Sequence, residues 1–230
     1  MKGLQGLLFD KDGTLFDFQA SWGQATAGLI ADLAGGDRAL AARLEAVLGF
    51  DGARRRFRRE SLAIAGTSEE VRAALAPVLP WMAGSALEER LAAMAAGATM
   101  AEAVPLRPLI SRLGAAGLRI GLATNDGEMS AREHLRRVGV IGGFDFIAGF
   151  DSGFGAKPAP GMVLAFLRAM GLAPEAVAMV GDSTHDLLAG RAAGMRTVAV
   201  LTGVAEAEDL APLADVVVPD IGHLPGLLDL

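Results

Sequence analysis

From Val104 to the carboxyl end the sequence alternates short apolar stretches with amphipathic ones, and this alternation constrains the fold more than any other feature. Strands are expected over residues 118–124, 145–149, 176–181, 197–201 and 215–218. Helices are expected from Pro108 to just before Gly117, over residues 129–138, 160–170 and 184–193, and briefly near 206–213. Gly117, Gly139 and Gly171 stand where three of these helices should stop. Strands separated by helices imply right-handed crossovers and a parallel sheet, covered by helices on both faces.

Residues 4–9 form one more apolar run, which breaks into Asp10-Lys11-Asp12-Gly13-Thr14. That strand must join the sheet across residues 18–97, which carry helical periodicity over 21–33, 39–48, 53–65, 68–75 and 85–96. Breaks fall at Gly35-Gly36, at residues 49–52, at Gly66, at residues 77–80 and at Gly97. The expected organisation is an α/β core of residues 1–17 and 98–230 with an all-helical insertion of residues 18–97. Trp22, Trp81 and Met82 are expected to pack inside that insertion.

Composition narrows the chemistry. The chain has no cysteine, which excludes disulfides, thiolate catalysis and Cys-ligated zinc, so a metal would need oxygen or histidine ligands. A formal charge of -6 disfavours nucleic acid as a partner. The run before Asp10 is too short for a secretion signal or a membrane span, and the other apolar runs are interrupted by charges or glycines. A cytoplasmic protein with no membrane partner is expected.

Four strand ends carry reactive groups, and open α/β sheets hold their ligands at the carboxyl ends of strands. The first offers Asp10 and Asp12, two carboxylates so spaced that one can attack while the other moves protons. An Asp-Gly pair alone is a common turn, so the partners decide. The strand over 118–124 ends in Thr124-Asn125-Asp126, where the hydroxyl and the Asn125 backbone N–H can donate to a phosphoryl oxygen. Lys157 lies in a glycine and proline loop before a helix and can neutralise a transferring phosphoryl group. Asp182 and Asp186 flank a helix start, where either Asp182 or Ser183 serves as the helix cap or the two carboxylates serve as ligands of a hard cation such as Mg²⁺.

In order, these four strings resemble the four motifs of the haloacid dehalogenase superfamily, the first matching D-x-D-G-T-[LV]. The resemblance implies a Rossmann-like core and assigns roles. Asp10 is similar to the nucleophile that becomes an aspartyl-phosphate, and Asp12 to the general acid and base. Thr124, with Asn125, corresponds to the phosphate-binding position and Lys157 to the stabilising cation. The metal ligands, for Mg²⁺, would be Asp10, the Asp12 carbonyl and Asp182, with Asp186 behind them or orienting Lys157. An Asp at position 12 favours phosphatases and phosphomutases over dehalogenases. Lys11 is shared with transport ATPases, but this chain is far too short for one and lacks spans.

An insertion after the first motif, and none after the second, resembles the helical cap of the phosphoglycolate phosphatase and β-phosphoglucomutase group. Such a lid implies water exclusion and substrate choice. The motif wording is nearest the phosphoglycolate phosphatase-like branch. The expected function is hydrolysis of a small phosphorylated metabolite, with 2-phosphoglycolate a candidate. The alternatives are a β-phosphoglucomutase-like phosphomutase and a catalytically idle binding member of the fold. Arg54, Arg55, Arg56, Arg58 and Arg59 read either as a solvated helix face or as a site for a second anionic group of the substrate. His185 reads as a loop residue pointing away from the site, and His134 and His223 as surface or helix-end residues.

Overall fold

The computed structural model describes residues 1 and 3–230. The chain divides into two compact units, Met1–Asp17 with Glu102–Leu230, and Phe18–Ala101. Elements are numbered in chain order.

The first strand, β1 (Gly6–Phe9), is fully buried, as an all-apolar strand inside a parallel sheet must be. The second unit then begins with α1 (Phe18–Ala34) and α2 (Arg38–Leu48). Asp37 caps α2, accepting from the N–H groups of Ala39 and Leu40 at 2.8 and 3.1 Å. Here one expectation fails. Residues 53–65 are not helical; β2 (Phe50–Asp51) pairs antiparallel with β3 (Arg56–Phe57), and turns follow.

The reason is packing. Phe50 and Phe57 are buried with ring centroids 5.0 Å apart, and Phe57 meets Phe18 at 5.2 Å. Asp51 accepts from the Arg54 N–H at 2.9 Å and closes the turn, while Arg55 takes a left-handed φ of 54°. The arginine run therefore decorates an exposed hairpin, not a helix. The unit finishes with α3 (Ser68–Leu75), started by a Thr67–Glu70 capping box, and α4 (Gly84–Gly97). Trp22 is buried as expected, but Trp81 is 64% exposed and contributes no core.

The first unit resumes with α5 (Leu106–Ala115), which begins two residues before Pro108. The proline sits in the first turn, where a missing N–H breaks no helical bond, and the Glu102 carboxylate caps the Leu106 N–H at 2.7 Å. Next come β4 (Arg119–Ala123), α6 (Glu128–Arg137), β5 (Phe146–Ala148), α7 (Gly161–Met170) and β6 (Val177–Gly181). The chain closes with α8 (Thr184–Ala192), β7 (Arg196–Val200), α9 (Ala207–Leu210), β8 (Val216–Val218) and α10 (Leu224–Leu227).

As the alternation predicts, the six strands other than β2 and β3 form one parallel sheet, in the order β5-β4-β1-β6-β7-β8. Leu8, Met162, Phe166 and Met179 belong to one buried cluster that fixes α7 against the sheet. The strand order reverses about β1, so the crevice at the carboxyl ends of β1 and its neighbours is where a ligand belongs. No helix among the described residues is long and apolar enough to cross a membrane.

Candidate active site

Asp10 directly follows β1, and its N–H still donates to the Val180 carbonyl at 2.9 Å, so the loop that carries the two carboxylates starts from a fixed point. The loop then folds on itself. Leu15 and Phe16 both donate to the Lys11 carbonyl, at 2.9 and 3.1 Å, and the Gly13 N–H donates to the Phe16 carbonyl at 2.7 Å.

Gly13 has a φ of +83°, and a side chain there would run into the Asp182 carboxylate; a Cβ at Gly203 would do the same from a second loop. The Thr14 hydroxyl donates to Asp182 Oδ1 at 3.2 Å, and the Thr202 hydroxyl to the Gly13 carbonyl at 2.6 Å. Asp182, at the end of β6, is thereby enclosed between two glycines and a threonine.

Lys157 crosses from the loop after β5. Its ammonium lies 2.5 Å from Asp10 Oδ1 and 2.6 Å from Asp186 Oδ1, with all three side chains buried. Two contacts hold its backbone. The Asn125 side chain donates to the Lys157 carbonyl and accepts from the Lys157 N–H, both at 2.9 Å. The Asn125 amide thus fixes the Lys157 loop, a role its position in the sequence did not reveal. Thr124 is buried at the end of β4, its N–H on the Ala148 carbonyl at 3.0 Å and its hydroxyl accepting from the Asp126 N–H at 3.1 Å.

Asp186 does two jobs. Its Oδ2 accepts from the Ser183 N–H at 3.1 Å and hydroxyl at 2.7 Å, completing the capping box of α8, while Oδ1 faces Lys157.

Carboxylate oxygens of Asp10, Asp182 and Asp186 lie within 4.8 Å of one another. Three buried carboxyls share one ammonium, and the imbalance shows in the acidities of Asp10 and Asp182. Burial drives the Asp10 carboxyl up to about 7, Lys157 pulling it down and Asp186 and Asp12 pushing it further up. Asp182 is raised well above its ordinary value by burial, then by Asp10 and Asp186. Lys157 is raised although burial opposes its charge, because Asp10 and Asp186 outweigh that cost. An oxygen-only set that lacks positive charge fits a hard divalent cation.

Asp12 points elsewhere. Its carboxylate accepts from Lys11 Nζ, with Oδ1 at 3.1 Å and Oδ2 at 2.9 Å, and does not join the acidic trio. Lys11 is itself fully buried, and its ammonium also meets Asp126 Oδ2 at 2.9 Å and His134 Nδ1 at 3.1 Å. Burial opposes the Lys11 charge, but Asp12 and Asp126 raise its pKa overall; Asp126 is correspondingly lowered, burial being overcome by Lys11.

His134 is therefore not a surface residue. It is completely buried on the face of α6 that holds Ala131 and Leu135, and that helical spacing was a usable signal. His223 does lie at the surface, 3.1 Å from Asp220, and His185 is half-buried with an Nδ1 that has no hydrogen-bond partner among the described residues.

Comparison with known proteins adds three findings. Residues 4–194 match the family model of haloacid dehalogenase-like hydrolases. The phosphoglycolate phosphatase of Chromobacterium violaceum is 34% identical over 123 residues, covering 54% of each chain, and the pyrophosphatase PpaX of Halalkalibacterium halodurans is 32% identical over 116 residues, 50% of this chain and 52% of that one. The matched stretch spans about half the length of these curated relatives. The crystal structure of CbbY from Rhodobacter sphaeroides in complex with phosphate superposes with a TM-score of 0.69 at 23% identity, covering 99% of this chain and 100% of that one, which speaks to the fold.

Proposed function

The chain belongs to the haloacid dehalogenase-like hydrolases, and from that premise we propose that it is a Mg²⁺-dependent phosphatase of the phosphoglycolate phosphatase-like branch, hydrolysing a small phosphorylated metabolite through a phospho-Asp10 intermediate. One observation carries the reading. A buried carboxylate at the centre of the sheet edge is paired to a buried lysine at 2.5 Å, and a second carboxylate two residues on is held apart from it by a different lysine. Those are the parts a two-step displacement requires.

In the first step an Asp10 oxygen bonds to phosphorus as the ester oxygen leaves, and a protonated Asp12 gives that oxygen its proton. In the second, Asp12 takes a proton from water, the water oxygen attacks phosphorus, the bond to Asp10 breaks and inorganic phosphate departs. Lys157 neutralises charge on Asp10 and on the phosphoryl oxygens. The Thr124 hydroxyl and the Asn125 backbone N–H donate to those oxygens. Asp10, Asp182 and the Asp12 carbonyl would hold Mg²⁺, with Asp186 in support. When bound, the ion adds positive charge against the phosphoryl oxygens.

The names of the two relatives, a phosphoglycolate phosphatase and a pyrophosphatase, support phosphate chemistry. The test is phosphate release from 4-nitrophenyl phosphate and from a panel of phosphorylated metabolites including 2-phosphoglycolate, with and without Mg²⁺. Turnover should need the ion and fall to background in Asp10→Asn. Full activity in that variant refutes the mechanism.

A further inference from the structure

The strand-end motifs leave one buried polar cluster unused. Lys11, Asp126 and His134 come from the β1 loop, the β4 loop and the third turn of α6, and they meet with no exposure at Lys11 or His134. A lysine ammonium has three N–H donors and no acceptor. Here it hydrogen-bonds to Asp12 Oδ1 and His134 Nδ1, each at 3.1 Å, and forms an ion pair with Asp126 Oδ2 at 2.9 Å. Because Lys11 can only donate, Nδ1 must accept, which puts the imidazole proton on Nε2.

The cluster is anchored on backbone. Asp126 Oδ1 accepts from the Gly127 N–H at 2.7 Å, at the cap of α6, while its Oδ2 faces Lys11. Buried charges of this kind are a poor source of stability, since an apolar side chain of similar size commonly serves as well or better. What they provide is a direction: both oxygens of the Asp12 carboxylate lie within 3.1 Å of one immobile ammonium.

We propose that Lys11, held by Asp126 and His134, is a positioning residue that aims the Asp12 carboxylate at the ester oxygen and then at the attacking water. The inference rests on the reading of Asp12 as the proton-transfer group, and it adds three residues to the machinery. Lys11 touches no reacting atom. It acts by removing rotational freedom from a short side chain that is 14% exposed and would otherwise swing further into solvent.

The test compares two esters of nearly one shape, phenyl phosphate and 4-nitrophenyl phosphate, by kcat/KM, which reports the steps up to phosphorylation of Asp10. Nitrophenolate leaves without a proton, whereas phenolate leaves poorly unless Asp12 supplies one. Lys11→Met should therefore lose roughly tenfold or more on phenyl phosphate beyond any loss on the nitro ester, since general acid catalysis contributes about 10²–10⁴-fold. It should also show a burst of about one equivalent of nitrophenolate followed by slow turnover, because water activation suffers too.

Lys11→Met leaves Asp126 buried and uncompensated, so Lys11→Met/Asp126→Asn, which removes both charges, is the companion variant, with the same substrate-dependent loss expected. His134→Leu should show the same selective loss on phenyl phosphate, and His134→Asn, which keeps an acceptor near the Nδ1 position, should recover most of it. Equal losses on the two esters, in variants that melt like the parent, overturn the positioning role alone. A parent chain inert to both esters overturns the phosphatase reading, and the positioning role with it.

Discussion

Replacing Asp10 by Asn isolates the electrostatic tension in the buried trio, because Asn has the shape of a protonated Asp and cannot ionise. In the metal-free chain the Asp10 carboxyl is raised from 3.8 to about 7. A carboxyl whose folded pKa lies above its unfolded value contributes stability that is complete below the unfolded value and is lost as pH rises through the folded one. The window is thus pH 3.8 to about 7, with stability falling upward, the reverse of an ordinary salt-bridged Asp.

Raising the carboxyl from 3.8 to about 7, at ~1.36 kcal/mol per pH unit, amounts to about 4 kcal/mol. At roughly 2–4 °C per kcal/mol for a chain of this length, that is about 8–16 °C in melting temperature. Melting curves in a chelating buffer at pH 4.5 and pH 8 provide the assay. Asp10→Asn and the parent should melt close together at the lower pH, and the variant should be the more stable by several degrees at the higher. Comparing the variant with the parent cancels groups that titrate in both and lie away from Asp10, leaving Asp10 and the groups it acts on, Asp182 and Lys157. Mg²⁺ at pH 8 should close the gap by raising the parent. A gap that fails to widen with pH, or widens in the parent's favour, refutes the account of the trio.

Two further outcomes follow from contacts already described. Asn125→Ala removes both hydrogen bonds to the Lys157 backbone, so urea denaturation should show a loss of about 1–3 kcal/mol, and kcat/KM on 4-nitrophenyl phosphate should fall by roughly tenfold as the lysine loses its fixed position. If stability and rate are both unchanged, the amide does not hold that loop. Gly203→Ala forces the Asp182 carboxylate out of its enclosure, at a cost of about 1–3 kcal/mol. Melting with and without Mg²⁺ should show that the ion no longer stabilises the protein, and a full Mg²⁺ response would contradict the placement of Asp182 as a ligand.

The sheet was legible because each strand is a short apolar run bounded by a helix or a glycine, and a pattern of that kind is local. The strand ends were legible for the same reason: Asp10, Thr124, Lys157 and Asp182 sit next to the elements that position them. Two features were not. The residues 53–65 carry helical spacing, yet Phe50 and Phe57 face one another across a hairpin, and tertiary contact with Phe18 overrides the local preference. The Asp51-Gly52 pair was the local hint of a turn there. The Lys11 cluster joins residues as much as 123 positions apart, and nothing near His134 in the chain announces a lysine from the first strand's loop. The Asn125 clamp is hidden in the same way, because its partner is a backbone and leaves no mark on residue type.

The point at which the chain leaves the sheet and returns to it is closed. Phe16 is bridged to Glu102, and the Ala103 N–H donates to the Leu15 carbonyl at 2.9 Å, so departure and return are stitched side by side. With its ends already tied, the intervening sequence can grow or be exchanged at a cost that rises only logarithmically with length. The stitch works as a grafting point: residues spliced in beyond it enter at a place that the first unit's own backbone pairing has already closed, three residues after Asp12.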